Sequence, residues 1–395
     1  MPSTVAELPP KLAGDTERTP RPRLLVFELR LMGDAVMSLP FVRAAQAHYE
    51  VHVCCSPAAE PIFRMALARE QVHGWRPPWL DERHARVTPL AGLRAIRAMA
   101  LQLAELRATH AVSAWCDPRT GVLMSLTGVR SRIGFPAHSA NFYGRHLPWR
   151  QRQLTLARVA EFIAQLALLR PLLTQRLYRR DFAQHHVEDW RQIADVLGLA
   201  LSSSRPALHV DAHSVPVTLS VASKIAPGAD ASLQSQRRLR IAIHPGASGA
   251  QKRWPLQHFV TLGHALAERH QVCFIEPPEL ALDSAVRAHF PVITTGSLDE
   301  LASRLTEFDI LLANDAGVAH LADALGLPVI TIFLSSEPGH FAPFASRDYV
   351  ISFEGACDVR PCFGRCTKSE LLCFVPASYD VVAARVTATL ARLFD

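Results

Sequence analysis

No stretch of the 395 residues approaches the roughly 18 uncharged apolar residues that a membrane-spanning helix needs. The chain therefore does not read as a helical membrane protein. Its opening residues 1–22, MPSTVAELPPKLAGDTERTPRP, contain no apolar core of the kind a secretory signal carries. Their Pro, Thr and mixed charge predict a disordered lead, and a cytoplasmic protein is expected. Neither half has Gly-x-Gly-x-x-Gly after its first strand, and no Gly-Lys-Ser/Thr triplet occurs. These absences argue against a dinucleotide-dependent dehydrogenase and against a Walker-type nucleotide loop. There is no short tandem repeat. No nucleic-acid-binding module is recognisable, so nucleic acid is not expected as a partner.

What remains is long for one typical core, which favours two domains. Hydrophobic content of 49% and a mean hydropathy of +0.10 describe a globular chain. The net charge of +6 and pI near 9.0 suit anionic partners. An arginine-rich background explains the same charge equally well. Of the eight cysteines, Cys54, Cys55, Cys116 and Cys273 fall in apolar strand-like runs and read as small buried residues. Cys357, Cys362, Cys366 and Cys373 crowd into CDVRPCFGRCTKSELLC. In a reducing compartment that clustering points to thiols or a metal site more than to disulfides. Spacings of five, four and seven can wrap a tetrahedral metal, although they are not the paired C-x-x-C of common zinc sites. Reduced structural thiols are the default and metal the alternative.

Along the chain, RLLVFEL (23–29) is an apolar run ending in the polar corner LMGD. AVMSLPFVRAAQAHY has helical spacing and VHVCCSP is the next strand, the opening of a doubly wound α/β domain. HAVSAWCD (110–117) and SRIGF (131–135) predict further strands, and a long helical region is expected from about 151 to 199, broken near Pro171. Residues 201–239 gather Ser, Pro and Ala and predict a connection holding one strand. The strand, turn and helix pattern then restarts at RIAIHPG and ends in the helical YDVVAARVTATLARLF. The expected organisation is one Rossmann-like domain over 23–200, the connection over 201–239, a second such domain over 240–376 and a C-terminal helix over 377–395. Two such α/β lobes face each other across a cleft.

Ligands of open parallel sheets bind outside the carboxyl ends of strands, so three strand-end corners matter most. In LMGD, Gly33 allows a tight turn and Asp34 stands at the start of a helix. There it serves either as a helix cap or as a general base projecting into the cleft. In HPGASGAQKRWP (244–255), Gly246, Ser248 and Gly249 form a loop whose N–H groups can face an anion. Lys252 and Arg253 add positive charge there. An ordinary turn with solvated cations explains the charges, but not why HPGAS is followed so closely by KRWP. In NDAGVAH (314–320), Asn314 and Asp315 end a strand and Gly317 opens the turn. The helix end beneath them suits phosphate, and His320 lies within reach.

Together these blocks resemble the family-nine glycosyltransferases, the ADP-heptose:lipopolysaccharide heptosyltransferases. The resemblance runs in order over about 23–375: LLVFELRLMGDAVMSLPFVRAA, RIGF, IAIHPGASGAQKRWPLQHF, NDAGVAHLADALGLPVITIF and the Pro-Cys loop. It implies the GT-B architecture, with acceptor on the first lobe and nucleotide-sugar donor on the second. It also implies inversion at the anomeric carbon with no cofactor or metal required. On this resemblance Asp34 is the general base and Lys252 the phosphate-binding lysine. Asp315, Gly317 and His320 surround the donor, Ser248 sits near phosphate, and Glu279 corresponds to a nucleoside-binding glutamate without its usual Gly-Gly-Pro. Glu28 and Arg30 depart from the family's order before Leu-Gly-Asp, and Glu276 and Pro278 change the adenosine wall.

The expected activity is transfer of a heptose-type sugar from an ADP-sugar to a hydroxyl of a glycan or lipopolysaccharide-core acceptor. Two alternatives stand beside it. One is a different nucleotide-sugar enzyme, with another donor or with epimerase or hydrolase activity. The other is a non-catalytic sugar-nucleotide-binding protein. With a lipid-linked acceptor, arginine-rich stretches such as RQRQLTLAR (150–158) would touch the inner membrane peripherally. An exposed helix face accounts for that stretch equally well.

Overall fold

A computed structural model describes residues 21–78, 88–136, 171–178, 184–209, 238–353, 357 and 370–394. The run Arg23–Glu28 forms β1, with buried side chains at successive positions from Leu24 onward. Continuous burial without alternation is what a strand covered by helices on both faces requires. It is joined by β2 (Glu50–Cys55), β3 (Val72–Gly74), β4 (His110–Cys116), β5 (Ser131–Pro136) and β6 (Gln175–Arg176) in a parallel sheet of order β3-β2-β1-β4-β5-β6. A second parallel sheet contains β7 (Arg240–His244), β8 (Gln271–Ile275), β9 (Val292–Ile293), β10 (Ile310–Asn314), β11 (Val329–Phe333) and β12 (Val350–Ser352). Its order is β12-β11-β10-β7-β8-β9. Counted from its own first strand, the second sheet repeats the order of the first. The winding reverses between β1 and β4 in one lobe and between β7 and β10 in the other. These reversals open the crevices where ligands of such sheets bind.

The first lobe carries α1 (Met32–Gln46), α2 (Glu60–Arg64), α3 (Pro89–Ala104), α4 (Pro118–Leu126) and α5 (His186–Val196). The second carries α6 (Leu256–Ala267), α7 (Ser284–His289), α8 (Leu298–Leu305), α9 (Gly317–Ala324), α10 (Pro338–Phe341) and α11 (Tyr379–Phe394). Thr88, Asp117, Asp283 and Ser297 start α3, α4, α7 and α8 by accepting a backbone N–H from the first turn. In α11, Val382, Val386 and Leu390 are buried with Trp254 and Phe259 in the second lobe's core. The Trp254 indole N–H donates to Ala377 O at 2.8 Å.

Of the helical region expected over about 151–199, residues 151–170 and 179–183 lie outside the described residues. The break expected near Pro171 is present: residues 171–172 are helical, and Gln175–Arg176 then pair with β5 as an edge strand before α5 begins at His186. Arg132 draws the segment into the sheet: Thr174 N–H donates to its carbonyl at 2.9 Å, and its own N–H donates to Thr174 Oγ1 at 2.8 Å. Its guanidinium Nε adds a bond to Leu172 O at 2.6 Å. Residues 210–237, most of the expected connection, lie outside the described residues, and 201–209 contain no strand. There Leu208 N–H donates to Ala324 O of α9 at 2.8 Å. Cys54, Cys55 and Cys116 are buried and Cys273 half-buried. Of the clustered four, Cys373 is buried and Cys357 half-buried, while Cys362 and Cys366 lie outside the described residues.

Candidate active site

The three corners sit at the carboxyl ends of β1, β7 and β10, on the two crevices. At the first, α1 starts at Met32 with Leu31 at the N-cap position. Asp34 is the third helical residue, and its Oδ2 accepts the Leu31 N–H at 3.3 Å. Its Oδ1 instead meets Arg30 Nη1 at 3.0 Å and His186 Nε2 at 3.8 Å. One oxygen thus caps the helix, while the other is buried against Arg30 and His186. Arg30 is held flat: its guanidinium carbon lies 4.1 Å over the Trp115 ring and 5.8 Å from the Phe341 ring of the second lobe. Glu28, buried at the end of β1, accepts the Arg30 N–H at 3.2 Å. The two departures at 28 and 30 therefore build one structure beside Asp34.

Behind Asp34 lies a pair that the sequence reading missed. His186 opens α5, and its Nδ1 is 2.8 Å from Asp189 Oδ2, with both side chains fully buried. The signal was present in HVEDW, where residues three apart on a helix are neighbours. His340 of α10 approaches from the second lobe, its ring centroid 5.3 Å from that of His186. His186, Asp189 and His340 offer ligand atoms within 4.8 Å of one another, close enough to hold a metal ion.

In the second lobe Asn314 is a clamp. Its Nδ2 donates to Pro245 O at 2.8 Å and its Oδ1 accepts the Trp254 N–H at 3.0 Å, tying both ends of the HPGAS-KRW loop to β10. Lys252 Nζ lies 2.5 Å from Asp315 Oδ2, and Ser336 Oγ donates to the same oxygen. Ser336, on the loop after β11, carried no recognisable signal in sequence. Arg253 Nε donates to Ala247 O at 2.8 Å and so braces the loop. Ser248 is exposed at its tip. Glu279 is also exposed, and Gly246 leaves space for it: a Cβ there would stand 2.7 Å from Glu279 Oε1. Glu276 accepts from Leu282 N–H, Arg287 and Thr294, which together hold its carboxyl down at about 2. It is an anion bound into its own turn.

The lobes meet at two helix N-termini. Gly33 lies within the first turn of α1, not in a tight turn, and a Cβ there would stand 2.7 Å from His320 Cδ2. Gly317 likewise opens α9 against Met32, whose Cβ would be 3.0 Å from an added one. Neither glycine has positive φ; what each supplies is close approach between lobes. Two helix N-termini, each carrying a partial positive charge, are therefore brought against each other. Burial lowers the His320 pKa against the opposing pull of Asp315, Asp323 and Asp34, and Lys252 lowers it further. Gly33→Ala is expected to push the His320 ring, cost about 1–3 kcal/mol as an overpacked contact, and reduce turnover by misaligning the two helix ends. Thermal melting and initial rates measured on the same sample check this.

The buried His244 and the half-buried His185 make stability pH-dependent. Burial pushes His185 and His244 each down to about 4, whereas unfolded histidine titrates near 6.5. Between these values the unfolded chain takes up protons that the folded chain refuses. Stability is expected to be full above about pH 6.5 and to fall as the pH drops toward 4. Urea midpoints at about pH 7, 5.5 and 4.5 test this, and His244→Gln should flatten the slope.

Residues 126–371 match the family model described as Glycosyltransferase family 9 (heptosyltransferase). Over 191 residues the chain is 25% identical to the lipopolysaccharide core heptosyltransferase OpsX of Haemophilus influenzae, covering 46% of this chain and 51% of that protein. The chain thus spans about half the length of this curated relative. Among solved structures, the glycosyl transferase family 9 protein of Veillonella parvula superposes with a TM-score of 0.61 at 15% identity, over 94% of this chain and 98% of the other. E. coli heptosyltransferase WaaC with ADP gives 0.60 at 15% identity, over 93% and 99%. At such identities these structures speak to fold, and the fold is the two-lobed GT-B arrangement expected from the sequence.

Proposed function

The chain belongs to glycosyltransferase family 9, and from that premise we propose that it is an inverting, cytoplasmic glycosyltransferase. On this reading it moves a heptose-type sugar from an ADP-sugar to a hydroxyl of a glycan or lipopolysaccharide-core acceptor. The supporting observation is the opposition of Asp34 on one lobe to Lys252, Asp315 and Ser336 on the other, across the meeting point of α1 and α9. The donor diphosphate lies over the α9 N-terminus at Gly317, with Lys252 turned toward it and Ser248 reaching it from the loop tip. His320 and Asp315 border the sugar, and Glu279 the nucleoside. The acceptor hydroxyl approaches from the first lobe and gives its proton to Asp34 as its oxygen attacks the anomeric carbon. The bond from that carbon to the phosphate oxygen breaks on the opposite face, so configuration inverts. Charge growing on the departing ADP is met by Lys252 and the helix end, fixed before reaction.

A donor panel tests this. ADP-heptose, UDP-sugars and GDP-sugars are each incubated with and without a core-oligosaccharide acceptor, and nucleotide release is read. Release from ADP-heptose that requires acceptor is the expected result. Release without acceptor supports a hydrolase or epimerase, and release from another nucleotide sugar moves the donor assignment.

A further inference from the structure

Helix α3 carries an unusual surface. Its inner face buries Ile96, Met99, Ala100 and Leu103 against the first lobe. Its outer face is nevertheless apolar too: Leu90, Leu93 and Leu101 are 59%, 52% and 59% exposed. At about 100° per residue, Leu93, Arg97, Leu90, Leu101 and Arg94 fall in that order within a sector of roughly 100°. Both arginines are exposed, and the helix sequence PLAGLRAIRAMALQLA contains no acid. Three leucines and two cations on one exposed stripe are hard to reconcile with water as the only neighbour.

We propose that this stripe docks the protein on an anionic bilayer surface, α3 lying in the interface plane with its leucines among the acyl chains and its arginines on headgroup phosphates. The charge favours this occupant. A two-fold contact between copies would set Arg94 and Arg97 near their own equivalents, four cations against the single exposed Glu105 that each copy carries at the edge of the stripe, on the helix C-cap. A bilayer rich in anionic headgroups supplies the counter-charge, and arginine can keep its stem with the leucines while its head reaches phosphate. No helix among the described residues is long and apolar enough to cross a membrane. The inference goes beyond the transferase reading and does not depend on it.

The test is flotation of the full chain with vesicles of phosphatidylethanolamine plus phosphatidylglycerol, against vesicles of phosphatidylcholine alone. Binding is expected with the anionic vesicles at low salt and not with the neutral ones. Arg94→Gln with Arg97→Gln should weaken it about 30-fold, from roughly 1 kcal/mol per cation near an anionic surface. Leu93→Gln with Leu101→Gln should weaken it at least about tenfold. Val381→Gln, at an exposed valine of α11, should not change it. Circular dichroism melts check folding; should the leucine pair melt early, the arginine pair decides alone. No binding to either vesicle, equal binding by all variants, or a dimer in sedimentation velocity that the leucine variant dissociates would each overturn the proposal.

Discussion

Asp34→Asn should lower sugar transfer by about 10³-fold, within the range that loss of a general base produces, while ADP affinity changes by less than about twofold. The choice of asparagine follows from the two oxygens of Asp34. The amide oxygen can still accept the Leu31 N–H that Oδ2 now takes at 3.3 Å, so the first turn of α1 keeps its cap. What is lost is the second carboxylate oxygen, the one facing Arg30 at 3.0 Å and His186 at 3.8 Å. Asp34→Ala removes both roles, and its extra loss of stability measures the cap, typically about 1 kcal/mol. A residue that only capped the helix would give asparagine near-normal turnover. A residue that bound donor would lose ADP affinity by calorimetry. Unchanged turnover in Asp34→Asn would remove the base from the mechanism and leave Arg30 and His186 to be explained some other way.

How far the sequence foretold this site depended on the range of the interactions. The strands were legible because continuous apolar runs such as RLLVFE can only be buried on both faces, and the corners because Gly and Asp break those runs at strand ends. The repeat of strand order between the lobes is a consequence of the same alternation. Two features escaped. Gly33 and Gly317 looked like turn residues, since a lone sequence cannot show that His320 and Met32 arrive from the other lobe to fill the missing side chains. Their spacing in the chain, nearly the whole length of both lobes, is invisible to any local pattern. Asp189 was concealed differently: its partner His186 is only three residues away, but that pair acquires meaning only when α5 is laid beside Asp34. The strand at 175–176 shows the converse: Pro171 marked a break in the helical pattern, but nothing local foretold an edge strand held by bonds to Arg132, some forty residues distant.

Lys252→Ala is the second large effect, and Asp315 decides how it should be interpreted. The ammonium now lies 2.5 Å from Asp315 Oδ2, an oxygen that also accepts the Ser336 hydroxyl. Removing the lysine forfeits a charge-assisted contact to phosphate, about 1.5–3 kcal/mol or roughly 10- to 150-fold in ADP affinity. It also leaves a carboxylate that is only 5% exposed beside an incoming diphosphate, so part of the loss would be repulsion and not a missing bond. Asp315→Asn in the same protein separates the two. If Asp315 chiefly aims the lysine, the double variant should bind ADP better than Lys252→Ala alone, a coupling that a double-mutant cycle reads directly. If Asp315 instead touches the sugar, Asp315→Asn alone should leave ADP affinity intact and weaken the ADP-sugar. Because the charge on the leaving diphosphate grows as the bond breaks, turnover should suffer more than ground-state binding. ADP affinity unchanged in Lys252→Ala would move the phosphates away from the HPGAS-KRW loop and leave the α9 N-terminus to hold them without it.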